Sequence, residues 1–88
     1  MTNKHMTITA TTPLTELIPM AQSKISCLES GEEFLVKDLF LGYEWGRIPK
    51  GIRTKLGSAF FAFAQNAGNK ELEVLNKTPQ NQQRYRKR

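Results

Sequence analysis

Between Pro49 and Gly68 the chain reads PKGIRTKLGSAFFAFAQNAG, and Ile52, Leu56, Ala59, Phe60, Phe63 and Ala67 fall within about 100° of one another on a helical wheel. A helix with one apolar face has to bury it against other elements, so this segment sets the terms for the rest of the fold. Pro49 suits a first helical turn, where its missing N–H costs little, and Gly68 is expected as a left-handed terminator. Gly57 costs about 1 kcal/mol relative to alanine inside a helix and is expected to mark a close crossing by another backbone. Phe61 points away from the stripe, towards another helix or a partner.

Upstream, Thr12 before Pro13 reads as a capped helix start. Leu14, Ile18, Ala21, Ile25 and Leu28 then lay a stripe along that helix. Pro19 predicts a kink or a later start, and Gly31 ends the element. EEFLV at 32–36 reads as a short strand and KDLF at 37–40 as a short turn of helix. In LGYEWG, Gly42 and Gly46 frame Tyr43 and Trp45, which are read as packing at a corner between helices in preference to base stacking. Downstream, ELEVL at 71–75 and QQRYRK at 82–87 form a hairpin around the turn chemistry of Asn76, Pro79 and Asn81. Strand alternation puts Arg84, Arg86 and Arg88 on one face and Gln83, Tyr85 and Lys87 on the other.

Helix, short strand, short helix, longer helix and hairpin is the order of a small α+β winged helix-turn-helix: three helices, a short first strand and a two-stranded C-terminal wing. With 88 residues, one domain is expected, spanning 13–88 behind a polar, threonine-rich flexible leader at 1–12. Cys27 has no partner for an intrachain disulfide, and His5 is far from it in sequence, so neither a metal nor a cofactor is expected. Without a membrane-length apolar run or a recognisable signal peptide, a cytoplasmic location is expected.

Charge divides the chain. Residues 1–44 carry three lysines against six carboxylates, a net −3, whereas 45–88 carry ten cations against Glu71 and Glu73, a net +8. So marked a separation commonly marks a nucleic-acid face or, less often, an anionic membrane surface, with a solvated face that has no partner as the plain alternative. Arg47, Lys50, Arg53 and Lys55 cluster at the entry to the third helix, and Lys70, Lys77, Arg84, Arg86, Lys87 and Arg88 along the hairpin. Phosphate contacts from these residues would make single-strand affinity fall with log salt by about 0.7 per phosphate neutralised. Tyr85, between Arg84 and Arg86, is a candidate for base stacking, weighed against core packing with a wet hydroxyl; Phe61 and Tyr43 stand behind it. Enzymatic chemistry is not expected, because titratable groups do not converge and the glycines lack a phosphate-loop signature.

The run GEEFLVKDLFLGYEWGRIPKGIRTKLGSAFFAFA, with NKTPQNQQRYRKR after it, resembles a family of small bacterial and phage proteins catalogued as a domain of unknown function. Its members recur on mobile genetic elements. The resemblance spans about residues 31–88 and implies a winged-helix domain that serves as a single-stranded DNA-binding accessory beside element-borne replication genes. Two other readings stand beside it: a duplex-DNA-binding regulator, and an adaptor docking a replication helicase or polymerase through the acidic first helix or Phe61. A monomer or weak self-association is expected, because no heptad or additional helix is evident for a dimer.

Overall fold

The computed structural model describes residues 7–88. Three α-helices, α1 (Leu14–Lys24), α2 (Gly42–Arg47) and α3 (Lys50–Gln65), combine with three short strands, β1 (Glu33–Phe34), β2 (Leu72–Val74) and β3 (Tyr85–Lys87). Single 3-10 turns occupy Ile25–Cys27 and Val36–Leu39. The class is α+β, and the sheet is antiparallel in the order β1–β3–β2. The expected two-stranded hairpin is therefore completed by the first strand, which pairs with the free edge of β3.

Local chemistry explains the helix boundaries. α1 starts at Leu14 and runs through Pro19, which lies on its exposed side, so the proline neither delays nor ends the element. Thr12 does not cap it: its Oγ1 accepts from the Thr9 amide at 2.8 Å, while the Pro13 carbonyl receives the amides of Glu16 and Leu17. Leu17 and Ala21 form the buried line of α1, continued by Ile25 of the following 3-10 turn, with Leu14 and Ile18 half-buried beside it. Ile8 is also in the core. The stretch expected as a flexible leader thus contributes a core side chain from within residues 7–12, whereas residues 1–6 lie outside the described residues.

The short second helix falls on a different segment from the one expected. KDLF contributes only to a 3-10 turn, and the α-helix is GYEWGR. Acidic side chains start both elements: Asp38 Oδ2 accepts from the Leu35 amide at 2.9 Å, and Glu44 Oε1 from the Leu41 amide at 2.9 Å. Each carboxylate satisfies an amide that the helix itself leaves free.

α3 buries Leu56, Phe60 and Ala64 completely, one turn apart, and packs on α1. Ala67 is exposed, because the helix stops at Gln65 before the stripe reaches it. Gly68 is not left-handed, as expected of a terminator; that role at a turn belongs to Gly31, with φ of +92°. What Gly68 provides is room: a Cβ there would stand 2.6 Å from Cε2 of Phe63. Its amide donates to the Phe63 carbonyl at 2.8 Å and folds the chain back towards β2. At Gly57 a Cβ would meet nothing within 4 Å, so this glycine marks no helix crossing.

β3 is the central strand. Tyr85 sits opposite Phe34 on one side and Val74 on the other. Its ring stacks on Phe34 at 5.6 Å between centroids and meets the edge of Phe60 from α3 at 5.1 Å. Such pairs contribute about 0.5–1.5 kcal/mol each beyond the area they bury. The strand is fastened along its length, with Gly31 N–H to the Lys87 carbonyl, Lys87 N–H to Glu32 and Arg88 N–H to Glu71, at 2.7–2.8 Å. No helix among the described residues is long and apolar enough to cross a membrane.

The two glycines separate packing from propensity. Gly68→Ala should lower the stability by about 1–3 kcal/mol through overpacking against Phe63. Gly57→Ala should leave it unchanged or raise it by up to about 1 kcal/mol. Urea unfolding followed by circular dichroism measures both, and equal effects would contradict the packing at Gly68.

Candidate nucleic-acid interface

Seven of the ten basic residues of the C-terminal half fall into three groups by what they touch. On the outer face of the sheet Glu33, Arg86 and Glu73 lie opposite one another across the three strands. Arg86 reaches Glu33 at 3.1 Å and Glu73 at 3.2 Å, and Arg84 reaches the other oxygen of Glu33 at 2.6 Å. Arg88 turns its Nε to the carbonyls of Asn69 and Leu72, at 2.9 and 3.1 Å. The three arginines do share a face, as strand alternation requires, but their hydrogen bonds fasten the sheet. The guanidinium of Arg84, then that of Arg86, holds the Glu33 carboxyl below its usual range, and Glu33 in turn raises the pKa of Arg86.

Arg47 is engaged elsewhere. Its Nη1 donates to the Ile8 carbonyl at 3.0 Å, and its guanidinium lies 5.0 Å from the ring centroid of Tyr43. It therefore clamps the segment before α1 onto α2, away from the hairpin.

The third group lines a groove of about 570 Å3 between α3 and the long connection from β2 to β3. One wall is the face of α3 bearing Lys50, Arg53, Thr54, Gly57, Ser58 and Phe61, with Trp45 of α2 beside it. The other walls are residues 35–37 and the loop residues Lys77, Asn81, Gln82 and Gln83, and Tyr85 also borders the space. Lys37, Lys50, Arg53 and Lys77 give this groove four cations, and none of the described residues lining it is Asp or Glu. Arg53 is oriented by Nε donation to the Ile48 carbonyl at 2.9 Å and by the Trp45 ring 5.6 Å from its guanidinium. Among the described residues no carboxylate lies within 4.0 Å of Lys37, Lys50 or Lys77. Gly57 leaves the middle of the α3 wall without a side chain, which deepens the groove at that point.

The loop holds its own shape. Thr78 and Gln82 exchange backbone and side-chain hydrogen bonds at 2.8 and 3.1 Å, and Asn81 takes the left-handed conformation with φ of 66°. Gln83 Nε2 donates to the carbonyls of Leu75 and Arg84. Lys77 and the three amide side chains are thereby presented from a braced turn.

Of the residues expected at the interface, Lys50, Arg53 and Lys77 come together in the groove. Arg47, Lys55, Lys70, Arg84, Arg86, Lys87 and Arg88 do not line it. Tyr85 is fully buried, so its ring has no free face for a base, and its hydroxyl is not wet: among the described residues it has no hydrogen-bond partner. Burial pushes that hydroxyl up to about 12. Trp45, read as packing in preference to base stacking, borders the groove, and Lys37 and the amide cluster of Asn81, Gln82 and Gln83 were missed as groove residues, because segments distant in sequence bring them there. The separation of Lys37 from nearby acids on the first strand's turn is visible only once Asp38 and Glu33 have found their partners.

A family model described as Domain of unknown function (DUF1413) matches residues 19–87. The chain belongs to that family. The DUF1413 match covers the three strands, α2, α3 and the C-terminal half of α1, and so contains the whole groove. A search of curated proteins and a search of solved structures each found no match.

The ionic and aromatic centres of this DUF1413 domain place two flanks on its stability. Glu33 has a lowered folded pKa, so its contribution is present above the unfolded value of about 4.5 and is lost as pH falls through the folded value. Tyr85 has a raised folded pKa, so its contribution is complete below 10 and is lost as pH rises through about 12. Thermal unfolding against pH should show a shallower acid decline in Glu33→Gln and a shallower alkaline decline in Tyr85→Phe. Unchanged flanks in both variants would contradict these assignments.

Proposed function

We propose that this protein is a single-stranded DNA-binding accessory, with little sequence preference, of the replication module of a mobile genetic element. It works in the cytoplasm as a winged-helix domain. The element order and the β1–β3–β2 sheet suit that fold: α2 and α3, separated only by Ile48 and Pro49, act as the helix-turn-helix, and the β2–β3 hairpin is the wing.

The observation that carries the reading is the groove of four cations without an acid, set between α3 and the wing loop. Phosphates passing along it would displace counterions from the strand, the dominant source of sequence-independent affinity. Trp45 and Phe61, half-buried on the groove wall, offer the apolar surface that single strands use alongside charge. A duplex reader would project α3 into a major groove about 12 Å wide. Here the cationic face of α3 is walled by residues 35–37 and by the loop, a recess better suited to a strand than to a ridge inserted in a duplex.

A protein-docking activity is favoured by a separate observation. Leu41 and Tyr43, 53% and 61% exposed, are large apolar side chains at the start of α2 that do not line the groove. An element-encoded helicase or polymerase docking there would leave the groove open.

Replacing Lys37, Lys50 and Lys77 together by glutamine should lower the magnitude of the slope of log affinity against log salt by about 2, at about 0.7 per contact, with the melting temperature little changed. Lys55→Gln with Lys70→Gln should move it much less. Fluorescence anisotropy with a labelled single-stranded oligonucleotide at several salt concentrations checks this, and equal losses from both sets would contradict the groove as the binding site.

A further inference from the structure

The packing gives Gly57 no task. Of the six glycines, Gly31 uses its positive φ and Gly68 makes room for Phe63, while Gly42, Gly46 and Gly51 lie within a turn of a helix end. Gly57 stands in a helix interior, with about two turns of α3 on either side, where glycine is unfavourable relative to alanine. A Cβ there would meet nothing within 4 Å, so no neighbouring element requires its absence. Bare helix backbone beside an open space suits a ligand that approaches closely.

The neighbouring side chains define the chemistry of that ligand. Lys50, Arg53, Thr54, Gly57, Ser58 and Phe61 fall within about 140° of one another on a helical wheel, with Gly57 near the middle of the arc, so its missing side chain opens on the groove. Thr54 and Ser58 are exposed hydroxyls on this wall, the first donating to the Lys50 carbonyl at 3.2 Å. Hydroxyls join lysines and arginines as donors to phosphate oxygens. Lys37 and Lys77 face the same space from the other walls, and none of the described residues lining it is Asp or Glu.

We propose that a single strand passes with its sugar-phosphate chain flush against α3 at Gly57, its phosphates held by Lys50, Lys77 and the Ser58 hydroxyl. The missing side chain sets how closely the strand approaches. A side chain at position 57 would fill the middle of the groove and hold the phosphates away from the lysines, where the attraction between charges is weaker. The contact reads no base edge and so adds no sequence preference. It rests on the nucleic-acid reading of the groove and adds to it the point of closest approach.

The test measures fluorescence anisotropy at low salt with two labelled single-stranded oligonucleotides of equal length, one of mixed sequence and one abasic throughout. The full chain is used as wild type, Gly57→Ala, Gly57→Leu and Gly51→Leu, the last adding the same bulk to α3 outside the groove. Gly57→Leu should weaken binding of both strands by about tenfold and Gly57→Ala by about 2- to 3-fold, because each places a clash in the strand's path. Gly51→Leu should stay within about twofold of wild type. Gly57→Ala should keep or raise the melting temperature, so its loss of affinity is read on a folded protein even where the leucine variant is less stable. Wild-type affinity in both Gly57 variants overturns the contact and leaves the groove reading standing, as does an equal loss in Gly51→Leu. A loss confined to the base-bearing strand shows that a base fills the gap and overturns the backbone contact. Failure of wild type to bind either strand overturns the contact and the nucleic-acid reading together.

Discussion

The ring of Tyr85 joins three stretches of chain that are distant in sequence: Phe34 from the first strand, Phe60 from the middle of α3, and Val74 across the hairpin. Because Tyr85 stands on the central strand, its burial fixes the register of both neighbours at once. A slip of one residue would turn the ring outwards and bring Arg84 or Arg86 into the apolar core, where an unpaired charge is prohibitive. The groove depends on that register. Only with β3 docked against α3 does the connection from Leu75 to Arg84 border the Lys50–Phe61 face and bring Lys77 into the same groove as Lys50.

The same register sorts the charges. Glu33 and Glu73 fall opposite Arg86, so the outer face of the sheet is internally neutralised by exposed pairs that fasten strands and offer little to a polyanion. Asp38 and Glu44 serve as caps for short helices. With these acids occupied, the positive potential left in the groove comes mainly from lysines. Lysine suits a sequence-tolerant phosphate contact, being a compact charge on a flexible stem, whereas the arginines are held by directional bonds to carboxylates, carbonyls and aromatic rings.

Much of this architecture was legible in the residues, and the failures have physical causes. The α3 stripe at Leu56 and Phe60, the hairpin around residues 76–81 and the separation of charge all follow from periodicity and turn chemistry. Periodicity could not place the second helix, because GYEWGR is short and contains two glycines; the back-bond from Glu44 and the aromatic contact between Trp45 and Phe40 stabilise it instead. Counting arginines overstated the hairpin's role, since the partners Glu33 and Glu73 lie far away along the chain and become neighbours only through the sheet. Lys37 and Gln83 could not be recognised for the same reason. Gly68 was rightly singled out, but for its backbone angle rather than for the Phe63 ring that excludes a side chain there.

Backbone amide chemical shifts, recorded by heteronuclear NMR during titration with a short single-stranded oligonucleotide, test groove binding most directly. The largest changes should cluster on Lys50–Phe61, residues 35–37 and Lys77–Gln83. Changes concentrated on the outer sheet face around Arg84 and Arg86, or on Leu41 and Tyr43 alone, would contradict it.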